Sequence, residues 1–244
     1  ASIKKLNISQ SSNYGDIIGD YYLGGLIGEN VNTNTTIFNQ TSNYGNIFGD
    51  TSGFSTNKQW GGFVGRTGST QISDSINIGL IQVNAPNTTR VDVGGFLGLT
   101  NSNTAISSSY TVTKFNVTAT SFYIGQFVGN NNFGGLEISS NSYFVDNSNA
   151  VYNAVGDLQN NSTNSAITKT SLELTDIGTF STWDIASDTS TTWAIGFDGL
   201  TTYPWLSWQD QPNPVNIINP YLSLGYIPVA SLEDLLAIES NSSH

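Results

Sequence analysis

The feature that most constrains this chain is a short glycine motif that returns at nearly constant spacing. Gly24-Gly25-Leu26-Ile27-Gly28 recurs as Gly61-Gly62-Phe63-Val64-Gly65 and as Gly94-Gly95-Phe96-Leu97-Gly98, with a degenerate copy at Gly125-Gln126-Phe127-Val128-Gly129. The first glycines are separated by 37, 33 and 31 residues. A second motif runs in phase: Ser12-Asn13-Tyr14-Gly15-Asp16-Ile17 returns as Ser42-Asn43-Tyr44-Gly45-Asn46-Ile47, then weakens through segments beginning at Ser75, Ser109 and Ser142. An isoleucine precedes each copy (Ile8, Ile37, Ile72, Ile106, Ile138), and an apolar residue precedes each glycine motif (Leu23, Trp60, Val93, Ile124). Repetition at a fixed period of this size marks a chain that stacks one unit upon the next.

The residue types between the landmarks select the kind of stack. Helical repeats of this length need long runs of helix formers. Here Asn, Ser, Thr and Gly supply 112 of 244 residues, and the apolar runs of Ile, Val, Phe and Tyr are only strand-sized. Short β-branched and aromatic runs between turn-forming clusters read as strands. The expected fold is therefore all-β: a parallel β-helix, or β-solenoid, of about five coils with three strands each. Equivalent residues of successive coils then lie about 4.8 Å apart, which predicts ladders such as Phe63 on Phe96 on Phe127. The glycines fit positions of positive φ or of backbone too crowded for a Cβ. Val in place of Gly62 is expected to cost more than a change at Thr67.

The glycine motif resembles the GLUG repeat of large exported surface proteins, including haemagglutinin-like adhesins and the non-catalytic part of immunoglobulin A peptidases. The matching residues are Gly24, Gly25, Gly28, Gly61, Gly62, Gly65, Gly94, Gly95 and Gly98; Gly125 and Gly129 retain the motif while Gln126 departs from it. The likeness covers roughly residues 8 to 145. It implies a solenoid in an extracellular or cell-surface setting and carries no catalytic residues. GLUG-type proteins also end in a Trp-rich region similar to Trp183, Trp193 and Tyr203-Pro204-Trp205-Leu206-Ser207-Trp208.

The organisation read from the chain has three parts. Residues 1–150 form the solenoid. Residues 151–211 break the period, hold four of the five Trp, and read as a hydrophobic plug over the final coil. Residues 212–244 form a Pro/Asn linker and one short helix beginning at Ser231, whose apolar face contacts this chain, a neighbouring module or another subunit. Ile3 to Ile8 already resembles a strand inside a coil. An open first coil beside a C-terminal helix suggests head-to-tail stacking, either with itself or with adjacent modules.

Charge and chemistry narrow the function. Seven basic residues against 18 acidic give a net charge of −11, which disfavours nucleic acid and anionic membranes as partners. No apolar run is long enough to span a membrane. The chain lacks Cys and its only His is His244, the last residue, so thiol chemistry, Ser–His triads and His-rich zinc sites are excluded. No phosphate-cradling Gly-Lys-Ser/Thr or β-helix calcium motif follows the glycines. Asp20 and Asp50 occupy equivalent places in successive coils and are the one candidate pair for Ca²⁺, with Asp16 as a third donor; the alternative is that both face water. Asn7, Asn34, Asn39, Asn87, Asn116, Asn160, Asn161 and Asn241 lie in N-glycosylation sequons. The expected function is a non-enzymatic structural or adhesive module, a rigid spacer or fibre subunit. One alternative is a module that binds surface glycans on Trp205 and Trp208. Another is a polysaccharide-degrading enzyme on a β-helix scaffold, which requires paired carboxylates in a groove.

Overall fold

The computed structural model describes residues 5–31, 35–50, 57–87, 90–145, 152–159, 161–197, 200–210 and 212. The chain winds as a parallel β-solenoid of about four turns, followed by a shortened fifth. Each complete turn presents four faces, one more than the sequence suggests. In the second turn these are Thr36–Asn43, Ile47–Asp50, Lys58–Gly61 and Val64–Thr67. The added corner lies inside the glycine motif. Strands of the third face end at Gly24, Gly61, Gly94 and Gly125, and those of the fourth begin at Ile27, Val64, Leu97 and Val128.

Crowding explains these glycines. A Cβ on Gly62 would collide with the carbonyl oxygen of Gly95 and with the Asn77 amide. On Gly65 it would lie 2.7 Å from the Leu23 nitrogen and 2.8 Å from the Gln59 oxygen. Neither has a positive φ, so close backbone approach, not left-handed geometry, selects glycine here. Left-handed backbone occurs instead at Gln10, Gln40, Asp74 and Ser108, which form one column and bend the first face in every turn.

Register is kept throughout. Leu23 pairs with Trp60, Trp60 with Val93, and Val93 with Ile124. On the first face the inward column is Ile8, Phe38, Ile72, Ile106 and Ile138. Phe38 therefore replaces the expected Ile37, which pairs with Asn7 and Gln71 on the outer side. Two apolar cores run along the axis. One joins Phe38, Phe63, Phe96 and Phe127 to the isoleucine column; the other joins Trp60, Ile81, Val83 and Val93. Between them runs an amide ladder: Asn13 donates to Asn43 Oδ1 (2.7 Å) and Asn43 to Asn77 Oδ1 (2.8 Å). Thr67, the milder position in the comparison with Gly62, is itself buried and shares a 2.7 Å hydrogen bond with Thr70. Paired hydroxyls at that corner allow polar residues to be interior.

Solenoid pairing continues past residue 150, through Val155–Asp157 and Thr163–Asn164 to Ile167–Lys169. The Trp-rich segment that follows is not a plug over the last coil. It runs back along the flank of the rod. The outer side of the first face carries Tyr44, Ile76, Tyr110 and Tyr143, an apolar stripe covered by Phe180, Trp183, Trp193, Tyr203 and Leu206. Three indole N–H groups grip the bend of the first face. Trp183 donates to Asn141 O (2.9 Å), Trp193 to Asp74 Oδ1 (3.3 Å) and Trp208 to Gln40 O (3.1 Å). Gln209 reaches the first two turns through Ser12 and Ser42. The strap opens on a capping box, in which Thr170 N donates to Glu173 Oε2 (2.8 Å) and Glu173 N to Thr170 Oγ1 (3.1 Å). The expected linker from 213 onward and the helix at Ser231 lie outside the described residues.

Candidate functional site

The third and fourth faces pack closely against each other because Gly65, Gly98 and Gly129 leave room for the neighbouring backbone. Outer side chains of the two faces then stand side by side along the rod. The third face contributes Tyr22, Gln59, Asp92 and Tyr123 in successive turns. The fourth contributes Glu29, Arg66, Leu99 and Asn130. A cleft of about 240 Å³ opens over them, lined by Tyr22, Gln59, Arg66, Arg90, Leu99 and Asn101 among others. Both arginines of the chain are in this lining.

Two of the lining residues, Gln59 and Arg90, converge on a buried carboxylate. Asp92 has no exposed surface. Its Oδ2 accepts from Arg90 Nη2 (3.1 Å) and Gln59 Nε2 (3.2 Å), and its Oδ1 from Asn130 Nδ2 (3.3 Å), with Arg90 Nε 3.0 Å from Oδ1 as an ion-pair contact. Burial pushes the Asp92 carboxyl up, against the opposing pull of the Arg90 charge and these hydrogen bonds. Arg66 is more open. Its Nη1 bonds the Tyr22 hydroxyl (3.1 Å) and Glu29 Oε1 (3.3 Å), with side chains of Arg66 and Glu29 35% and 36% exposed. Each guanidinium also faces a tyrosine ring, Arg66 over Tyr22 at 5.6 Å and Arg90 over Tyr123 at 5.4 Å.

The residues singled out from sequence are distributed differently. Asp20 and Asp50 each have their own partner: Asp20 pairs with the buried Lys58 Nζ at 2.9 Å, and Asp50 accepts from Asn84 (3.1 Å). Asp16 accepts from the backbone and side chain of Asn46, both at 2.9 Å. Of the three, only Asp20 meets a cation; Asp16 and Asp50 are held by neutral amide donors, and no group of three His, Cys, Asp or Glu residues gathers among the described residues. Trp205 is buried at 2% exposure within the strap, against Phe197 and with its indole N–H on Gly196 O, and Trp208 is half-buried with its indole N–H on Gln40 O, so neither is an open stacking platform. Asn7, Asn39, Asn87, Asn116 and Asn161 are exposed, whereas Asn34, Asn160 and Asn241 lie outside the described residues. Among the described residues no helix is long and apolar enough to cross a membrane.

The cleft residues escaped the sequence reading because their columns change identity from turn to turn. Their offsets from the motif would have found them. Gln59 and Asp92 stand two residues before Gly61 and Gly94, and Arg66 and Leu99 stand one after Gly65 and Gly98. No protein-family model, curated protein or solved structure matches this chain.

Proposed function

We propose that this chain is a non-enzymatic structural or adhesive module of an extracellular or cell-surface protein, acting as a rigid spacer or fibre-forming subunit. The observation that carries the reading is the lateral strap. A segment from Thr170 to Gln209 ties the turns together along their flank, from Asn141 back to Ser12. Solenoid units otherwise contact only their neighbours and open one at a time; a brace across several turns suits a load-bearing rod. The surface chemistry supports the same reading, with few charges, no thiols and five exposed sequon asparagines. The resemblance of the glycine motif to GLUG repeats points to the same setting. The two carboxylates bonded to the cleft's arginines, Glu29 and Asp92, are each held in an ion pair, which favours a binding or structural role over acid–base hydrolysis.

Head-to-tail association belongs to this proposal. Among the described residues, the first-turn strand on each of the four faces pairs with the second turn alone, and such edges suit another coil, from a second copy or an adjacent module.

Single-molecule pulling tests the load-bearing role. The intact chain should unfold in one high-force event. Trp193→Ala should release the strap and give several smaller steps; a stepwise trace already present in the wild type would overturn the reading. Antibody labelling of intact, unpermeabilised source cells tests the location, which fails if label appears only after permeabilisation. Turnover of a polysaccharide panel that disappears in Glu29→Gln would overturn the non-enzymatic assignment.

A further inference from the structure

We infer that the cleft between the third and fourth faces is a binding site for an acidic saccharide, with Arg66 receiving the sugar carboxylate. This goes beyond the passive role above and stands independently of it.

The argument begins from charge. The chain carries a net charge of −11, so most of its surface repels anions. Both arginines nevertheless converge on one cleft. Arg90 is committed to Asp92, which would otherwise be a buried charge without a counterion. Arg66 is not committed in this way. It is held in place by the Tyr22 hydroxyl and ring, and its only carboxylate partner among the described residues is the half-exposed Glu29. An exposed ion pair of this kind contributes little, so a ligand carboxylate can displace Glu29 at small cost. Arg66 Nε and Nη2 have no partner among the described residues, leaving donors for the bidentate geometry that guanidinium offers a carboxylate.

The rest of the lining fits hydroxyl-bearing rings. Asn132 donates to Asn101 Oδ1 (3.3 Å), which leaves the Asn101 amide N–H groups, the Asn132 carbonyl and the Asn57 amide as donors and acceptors in the lining, and Leu99 adds an apolar side chain. Tyr22 gives an aromatic edge. The volume of about 240 Å³ is below the roughly 300–1,000 Å³ of drug-sized pockets, which suits one sugar ring of a chain lying along the groove. An acidic peptide is the competing ligand, and triglutamate serves as its control.

Isothermal titration calorimetry with trigalacturonate tests the site, using its methyl ester and triglutamate as controls. Trigalacturonate should bind, and the ester and the peptide should bind at least tenfold more weakly. Arg66→Gln should weaken binding at least about tenfold, the loss expected when a charge-assisted hydrogen bond worth ~1.5–3 kcal/mol is removed. Glu29→Gln should strengthen it, because the internal competitor is gone. These opposite signs separate a binding role from a structural one, and Glu29→Gln remains informative if Arg66→Gln fails to fold. The inference is overturned if wild-type protein does not bind trigalacturonate at millimolar concentration. Equal binding of the ester or of triglutamate, or a weaker Glu29→Gln complex, would overturn it as well.

Discussion

Phe96 meets Phe63 edge-on, with ring centroids 4.6 Å apart and planes at 70°. The two residues are 33 positions apart in sequence, so this contact exists only if successive turns lie directly over one another. Phe127 continues the column at 5.4 Å, Phe38 of the first face packs on Phe63 at 5.4 Å within one turn, and all four rings are fully buried. Phe96→Ala removes contacts to both neighbours in the stack and leaves a cavity that flanking turns cannot fill without losing register. The expected cost is about 3–5 kcal/mol, measured by denaturant unfolding. A cost below ~1 kcal/mol would mean that the column does not hold the turns together.

Gly62 and Gly15 make a sharper comparison than Gly62 and Thr67, since Thr67 is itself interior. A Cβ at Gly15 meets only Asn13 Oδ1, at an ordinary 3.7 Å, whereas at Gly62 it strikes the backbone of the next turn. Gly62→Ala should therefore destabilise by more than about 2 kcal/mol. Gly15→Ala should be neutral or stabilising by roughly 0.4–1 kcal/mol through the unfolded chain. Thermal melts of the two variants decide the point.

The stacking was legible in the sequence because it repeats identities: Gly61 over Gly94, Phe63 over Phe96, Trp60 between Leu23 and Val93. The register of the first face was not. Ile37 and Phe38 are adjacent and both apolar, and a one-residue slip exchanges the inner and outer sides of a strand; packing of Phe38 on Phe63 decides it. The fourth face was hidden because a glycine pair reads as a strand interior until the crowding around it is known. The strap's path depends on contacts such as Trp208 with Gln40, 168 residues apart, which no local pattern encodes. The cleft has no run of repeated identities, since the column Tyr22, Gln59, Asp92 and Tyr123 changes residue type at every successive turn.

The amide ladder gives a charge-sensitive test. Asn43 is 1% exposed, accepts from Asn13 and donates to Asn77 Oδ1 and to Gly45 O (3.0 Å). Asn43→Asp keeps the shape but removes both donations and sets a carboxylate against two carbonyl oxygens. The buried charge should cost about 3–5 kcal/mol near neutral pH. Protonation restores one donor, so the loss should shrink as pH falls. Chemical denaturation of wild type and variant at neutral and acidic pH measures both effects; a pH-independent difference would place the side chain in contact with water.

Asp74 carries the last prediction. It lies at the bend of the first face with φ +47°, accepts the Trp193 indole N–H at 3.3 Å, and has its carboxyl pushed up, chiefly by burial, with the nearby Asp184 charge adding to the rise and the indole bond opposing it. A carboxyl whose folded value exceeds its unfolded one disfavours folding once pH is above both, and this penalty disappears as pH falls through the folded value to below the ordinary value of 3.8. Asp74→Asn retains an acceptor for Trp193, removes the ionisation, and places at positive φ a residue that tolerates it well. The variant should melt at a higher temperature than wild type at pH 7, and the gap should narrow steadily toward pH 3.5. A gap that widens on acidification would show that the ionised Asp74 stabilises the strap against the rod.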